Sequence, residues 1–176
     1  PVKLTDVKIS LRADGKKPEK VYRQMQIELQ EKEYELNHIM NDFFGDDIRE
    51  NTAKPHEYFE KHIHSGALPE FTFFLYEKDS LTYWSNNSVS FETCQPSQIK
   101  STAVYRLNNG WFEIRKIEFA DYKLIGLIRI LNAFPYQNDY LRNHWYLYNA
   151  TDRQISLDLE KGDFPIYSAD GEYLFS

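Results

Sequence analysis

The side chains best equipped for recognition chemistry in this chain are Tyr83, Trp84, Tyr105, Trp111, Arg115, Asp121, Tyr122 and Arg129. Rings supply apolar walls, while Arg and Asp hold a carboxylate or an amine, a mixture that suits a small-ligand pocket. Each residue also has a plainer reading. Trp and Tyr commonly lie half buried with the polar tip in water, and an arginine such as Arg129 can pair at a sheet edge.

Other chemistries lack the pattern they need. His56, His62 and His64 cluster, but on a helix 62 and 64 point to nearly opposite sides, with no acidic or sulfur ligand at a useful spacing. Asp46, Asp47 and Glu50 follow Gly45 without the spacing of a calcium loop, and read as an acidic helix interruption. Asp14-Gly15-Lys16-Lys17 lacks the glycines of a phosphate loop, and Asp42-Phe43-Phe44-Gly45 lacks every other kinase element. No serine sits in a nucleophile elbow, and Cys94 lies in a polar loop beside Pro96 with no histidine nearby in sequence. Asn86-Asn87-Ser88 and Asn149-Ala150-Thr151 match a glycosylation triplet too common to place the protein. No catalytic residue, metal or cofactor is expected.

Composition narrows the class further. The 176 residues suffice for one good core, and 41% hydrophobic content is globular rather than disordered. A net charge of -6 and no basic stripe argue against nucleic acid. A single cysteine excludes an intramolecular disulfide and a cysteine-based zinc site. No apolar run of the ~18 residues needed to span a bilayer occurs, nor a signal peptide. The chain opens at Pro1 without Met and stops on the strand-like Tyr173-Leu174-Phe175-Ser176, as expected of a piece of a longer protein.

The elements that must position the candidate residues follow from periodicity. Residues 1–17 form a polar lead-in, and Pro18, a good first-turn residue, opens a helix expected to reach Phe44. At ~1.5 Å per residue it would extend roughly 40 Å. Tyr22, Met25, Leu29, Leu36, Ile39 and Phe43, with Lys32 between them, fall on a heptad-spaced seam. Two readings stand: the seam packs on the chain's own sheet, or part of it faces a second copy. A second helix is expected over Pro55–Ile63, closed by His64-Ser65-Gly66. Strands are expected over Phe71–Tyr76, Leu81–Trp84, Ser101–Leu107, Trp111–Phe119 and Tyr122–Leu131, with Asn109-Gly110 closing the second hairpin through positive φ. Tyr122–Leu131 is apolar at both parities, so it must be covered on both sides, as a central strand is. Asn138–Tyr148 is expected as a short helix, with alternating strand-like pieces beyond it. The fold class is α+β: a long N-terminal helix on a mainly antiparallel sheet, with a small C-terminal extension.

With these segments in place, the chain resembles the extracytoplasmic sensor domains of bacterial membrane-bound sensor histidine kinases, of the PAS-like or Cache type. The resemblance rests on Phe71–Asn86, a strand, polar turn and second strand ending in Trp84-Ser85-Asn86, then Asn109–Phe112, Tyr122–Ile128 and Pro135–Leu141. It covers roughly residues 20–142 and implies a sensor domain over 18–142, with 143–176 leading towards a membrane helix outside this chain. It further implies a periplasmic location in an inner-membrane protein and a small-molecule ligand or envelope stimulus. Homodimerisation in the full-length protein, and phosphoryl transfer to a response regulator by a kinase core absent here, belong to the same expectation. The alternative is a non-catalytic protein-interaction module of the cell envelope.

Overall fold

A computed structural model describes residues 18–45, 47–62, 70–87, 89, 96, 99–134, 136, 138, 142–148 and 155–176. The lead-in, the His64-Ser65-Gly66 stop, Asp46, Cys94, the Asn149-Ala150-Thr151 triplet and most of Pro135–Leu141 lie outside these residues. The elements are helices α1 (Pro18–Phe43), α2 (Ile48–Ala53) and α3 (Pro55–Glu60), then β1 (Phe71–Glu77) and β2 (Ser80–Trp84). Strands β3 (Thr102–Leu107), β4 (Gly110–Phe119), β5 (Tyr122–Asn132) and β6 (His144–Trp145) follow, and β7 (Ile166–Tyr167) with β8 (Tyr173–Phe175) ends the chain.

The main sheet runs in the order β2-β1-β5-β4-β3, every pairing antiparallel, so β5 is the central strand. Its two-sided apolar pattern has the expected cause. Leu124, Ile128 and Ile130 face the layer formed by α1, while Ile125 and Leu127 pack on the opposite face with Phe74, Phe112 and Ile114. Val89 and Ile99, from the connection between β2 and β3, join this second cluster.

α1 lies on the first face through Met25, Leu29, Glu33, Leu36, Ile39, Met40 and Phe43. Steps of three and four residues keep these side chains on one stripe of a 3.6-residue helix. The seam therefore packs on the chain's own sheet. Tyr22 lies at its half-buried edge, and the apolar positions Met25, Leu29, Leu36, Ile39 and Phe43 belong to the core. Gly126 of β5 makes the close approach possible: a Cβ there would lie 2.6 Å from Met40 Sδ and 2.8 Å from Leu36 Cδ1.

Two local expectations are corrected and one element is added. The helix expected from Pro55 is α3, and an unexpected α2 precedes it, set apart at Lys54 (φ -134°, ψ 60°) because Pro55 drives the residue before it out of the helical region. The β3–β4 hairpin turns on Asn108-Asn109, and neither Asn109 nor Gly110 has positive φ. Gly110 serves closeness instead, since a Cβ would lie 2.2 Å from the Leu131 carbonyl oxygen. No helix forms over 142–148. β6 pairs with Leu131 and Asn132, and Tyr146 N–H donates to Ile130 O at 2.9 Å. β5 extends past the end of β1, leaving a free edge there, and the alternation of buried Trp145 and Leu147 fits a strand better than a helix.

The C-terminal segment is built into the same core. Trp145, Leu147, Ile166, Leu174 and Phe175 belong to the cluster under α1. Asp158 and Ser176 exchange two backbone hydrogen bonds of 2.8 Å, and β7 pairs with β8 around the Asp170-Gly171 turn, where Gly171 has φ +82°. Among the described residues, no helix is long and apolar enough to cross a membrane.

Candidate functional site

The helix-facing side of β4 carries Glu113 and Arg115, two residues apart and so on one face of the strand. Arg115 is buried and its guanidinium is surrounded. Nε donates to Glu113 Oε1 at 2.7 Å, and Nη1 donates to Asp170 Oδ2 at 2.9 Å and to Thr102 Oγ1 at 3.1 Å. Nη2 pairs with Glu33 of α1. Glu33, fully buried, also accepts the Ala169 N–H at 2.6 Å through its other oxygen. One guanidinium thus ties together α1, β3, β4 and the 169–170 turn.

The charges around it are unequal: Glu33, Glu113 and Asp170 share a single Arg115. Burial first, then hydrogen bonding and repulsion from Glu33, push the Glu113 carboxyl well above the usual range, against the pull of Arg115. Burial opposes the Arg115 charge, but Glu113, Asp170 and Glu33 outweigh it and hold the guanidinium above its ordinary value. Glu113 Oε2 receives no hydrogen bond from any donor among the described residues, and Glu33 acts on Glu113 as a buried like charge. Like charges held in one buried site favour a proton on one of them, and burial puts that pressure on Glu113. Glu33, Glu113 and Arg115 form the buried part of the cluster, with Asp170 at its solvent side.

Other side chains of α1 hold the same C-terminal segment. The Gln26 amide donates to Tyr167 O and accepts the Tyr167 N–H at 2.8 Å. Glu28 Oε2 accepts the Tyr148 N–H at 2.7 Å, and the Tyr22 and Phe164 rings meet at 6.0 Å.

On the opposite face of the sheet, the Arg129 guanidinium lies 5.1 Å from the Phe112 ring and 5.5 Å from that of Tyr146, and donates to Asn132 Oδ1 at 2.8 Å. Burial lowers its pKa. Such a planar cation between rings is a stable way to keep a charge inside.

The eight candidate residues do not converge. Arg115 and Arg129 are on opposite faces of the sheet, and Tyr83 and Tyr105 stand on its opposite edge strands. Tyr83 stacks on Phe59 at 5.4 Å; burial, aided by Glu60, pushes its hydroxyl up to about 12. Trp84 is 51% exposed and its indole N–H donates to Asn87 Oδ1 at 2.8 Å. The Tyr105 hydroxyl accepts the Lys100 N–H at 3.3 Å, and Trp111 sits 5.8 Å under Arg106. Tyr122 is half buried, and exposed Asp121 receives the Lys78 N–H on its backbone oxygen at 2.6 Å. A shallow groove of about 470 Å³ on α1 is lined by Glu19, Lys20, Arg23, Gln24 and Ile27, none of them a candidate.

Of the histidine group, His56 is exposed and His62 lies against the Tyr58 ring at 4.8 Å. No group of three or more His, Cys, Asp or Glu that could hold a metal occurs among the described residues. Sequence reasoning selected Arg115 and missed Glu33, Glu113 and Asp170. The signal for Glu113 was available, because it shares Arg115's parity in a strand whose other inward positions are apolar. Glu33 stands four residues after Leu29 and three before Leu36, inside the stripe. No protein-family model, curated protein or solved structure matches this chain.

Proposed function

We propose that this chain is a PAS/Cache-like stimulus-sensing domain, the extracytoplasmic part of a bacterial sensor histidine kinase. The observation that carries the reading is the strapping of α1 to both the sheet and the C-terminal segment, through Gln26–Tyr167, Glu28–Tyr148 and Glu33–Arg115–Asp170. A ligand or envelope stimulus that favours one sheet geometry would bias where α1 and the 166–175 segment sit, and flanking membrane helices would pass that bias on. The opening hairpin β1–β2, ending in Trp84-Ser85-Asn86 beside a long helix laid across an antiparallel sheet, supports the family assignment. On this reading the domain is periplasmic and catalyses nothing. The parent, as a homodimer, autophosphorylates and hands the phosphoryl group to a response regulator.

A thermal-shift screen of the 176-residue chain against small metabolites tests the sensing half. A dose-dependent rise in melting temperature for one chemical class is the expected result, since a ligand that binds only the native state stabilises it. A library without any shift, together with tight capture by an envelope protein, would replace sensing with protein binding. One observation favours that second reading: β2, an edge strand among the described residues, leaves Leu81 and Trp84 43% and 51% exposed, a surface suited to strand addition.

A further inference from the structure

We infer that Glu33, Glu113, Arg115 and Asp170 form a proton-loaded latch, closed while Glu113 carries a proton, which releases the 168–170 turn from α1 when that proton leaves. The latch stands apart from the sensing proposal, because it follows from the cluster and not from any ligand.

Three carboxylates around one guanidinium leave a net charge of minus two if all are ionised. Glu33 and Glu113 are both fully buried, and a second uncompensated negative charge in that setting is costly. Among the described residues, no other cation pairs with Glu33 or Glu113. Across the ladder, β5 presents Ile128 and Gly126 opposite Glu113 and Arg115, and β3 presents Val104 and Thr102. From α1 the facing charged group is Glu33, and from the C-terminal segment it is Asp170, with the Ala169 N–H as the one added donor. Lys32, the adjacent cation on α1, is turned to Glu70. A proton on Glu113 brings the net charge from minus two to minus one, leaving Glu33 on Arg115 and the remaining charge on exposed Asp170.

Deprotonation sets Glu113 against Glu33 as a second buried negative charge. On loss of the proton to solvent, the two carboxylates compete for Arg115, and the member that can leave is the exposed one. Asp170 is 70% exposed, on a turn whose hold on the helix is the Ala169 N–H to Glu33. Opening therefore begins at 168–170, while Glu113 and Arg115 remain in β4. The device responds to rising pH: Glu113 holds its proton more tightly folded than unfolded, so its stabilisation is full below the ordinary glutamate range and is lost above its raised value.

The Ala169 amide reports the latch directly. Its resonance and its solvent exchange, followed by nuclear magnetic resonance on the full chain from about pH 5 to about pH 9, should show one inflection well above the usual glutamate value of about 4.3. Exchange beyond that inflection should exceed the intrinsic increase with pH. Glu113→Gln keeps an acceptor for Arg115 and a donor for Glu33, so the inflection should vanish with Ala169 still protected. Absence of an inflection in the unsubstituted protein overturns the latch, whether or not the variant folds. So does an unchanged inflection in Glu113→Gln.

Discussion

Arg115 is the only cation on Glu33 and Glu113 among the described residues, so its removal leaves buried carboxylates with no counter-charge. Breaking a buried pair from one side typically costs ~3–5 kcal/mol. Arg115→Met should reach that range in urea denaturation at pH 7, with Asp170→Asn costing far less because its side chain is 70% exposed. Glu113→Gln should behave oppositely. It should change little at low pH and become stabilising relative to the unsubstituted protein as pH climbs through the raised Glu113 value, read from the same melts across pH. At this scale the sequence disclosed one member of four. Glu113-x-Arg115 was legible as a same-face pair. Glu33 and Asp170 were not, because a single Glu in a polar-rich helix and an Asp in an Asp-Gly turn both have ordinary solvated explanations. Only tertiary placement brings them to Arg115.

Between elements, the decisive contact is α1 on β5 at Gly126. An added methyl would meet the flexible ends of Met40 and Leu36 at 2.6 and 2.8 Å, so these side chains must shift and α1 with them. Gly126→Ala should cost ~1–3 kcal/mol by overpacking. Met40→Ala, which opens a cavity there, should cost ~2–5 kcal/mol alone. Their combination should cost clearly less than the sum, a coupling that a double-mutant cycle measures. The heptad seam made α1 and its buried side readable, because five of its six apolar positions do lie in the core. It also alters what charge substitutions there can mean. Leu29 and Leu36 are fully buried, so Asp at either position tests folding and not signal transmission. The helix expected over 138–148 does not form over its described part, 142–148, for a physical reason: Trp145 and Tyr148 suggested a helical face, but the free edge of β5 recruits His144–Trp145 as a strand.

Seen whole, the molecule closes on itself through residues that the sequence suggested were an appendage. Ile166, Leu174 and Phe175 fill the cluster under α1, and Ala169 and Asp170 complete the Arg115 site. A chain ending at residue 154 should lose cooperative thermal unfolding by circular dichroism, whereas a true extension could be removed with the melt intact. The alternation in 155–176 was visible in sequence, but its target was not, since a two-stranded ribbon gives no sign of which face it covers. The proposed mode of signalling depends on this closure. It can be tested most directly by joining the domain, between membrane helices, to a reporter histidine kinase and measuring autophosphorylation in membranes for Gln26→Ala and Asp170→Asn. Loosening the α1 straps should shift basal output several-fold while the melting temperatures of the isolated domains stay within a few degrees of the unsubstituted one. Unchanged output from both folded variants would contradict transmission through α1 and the C-terminal segment.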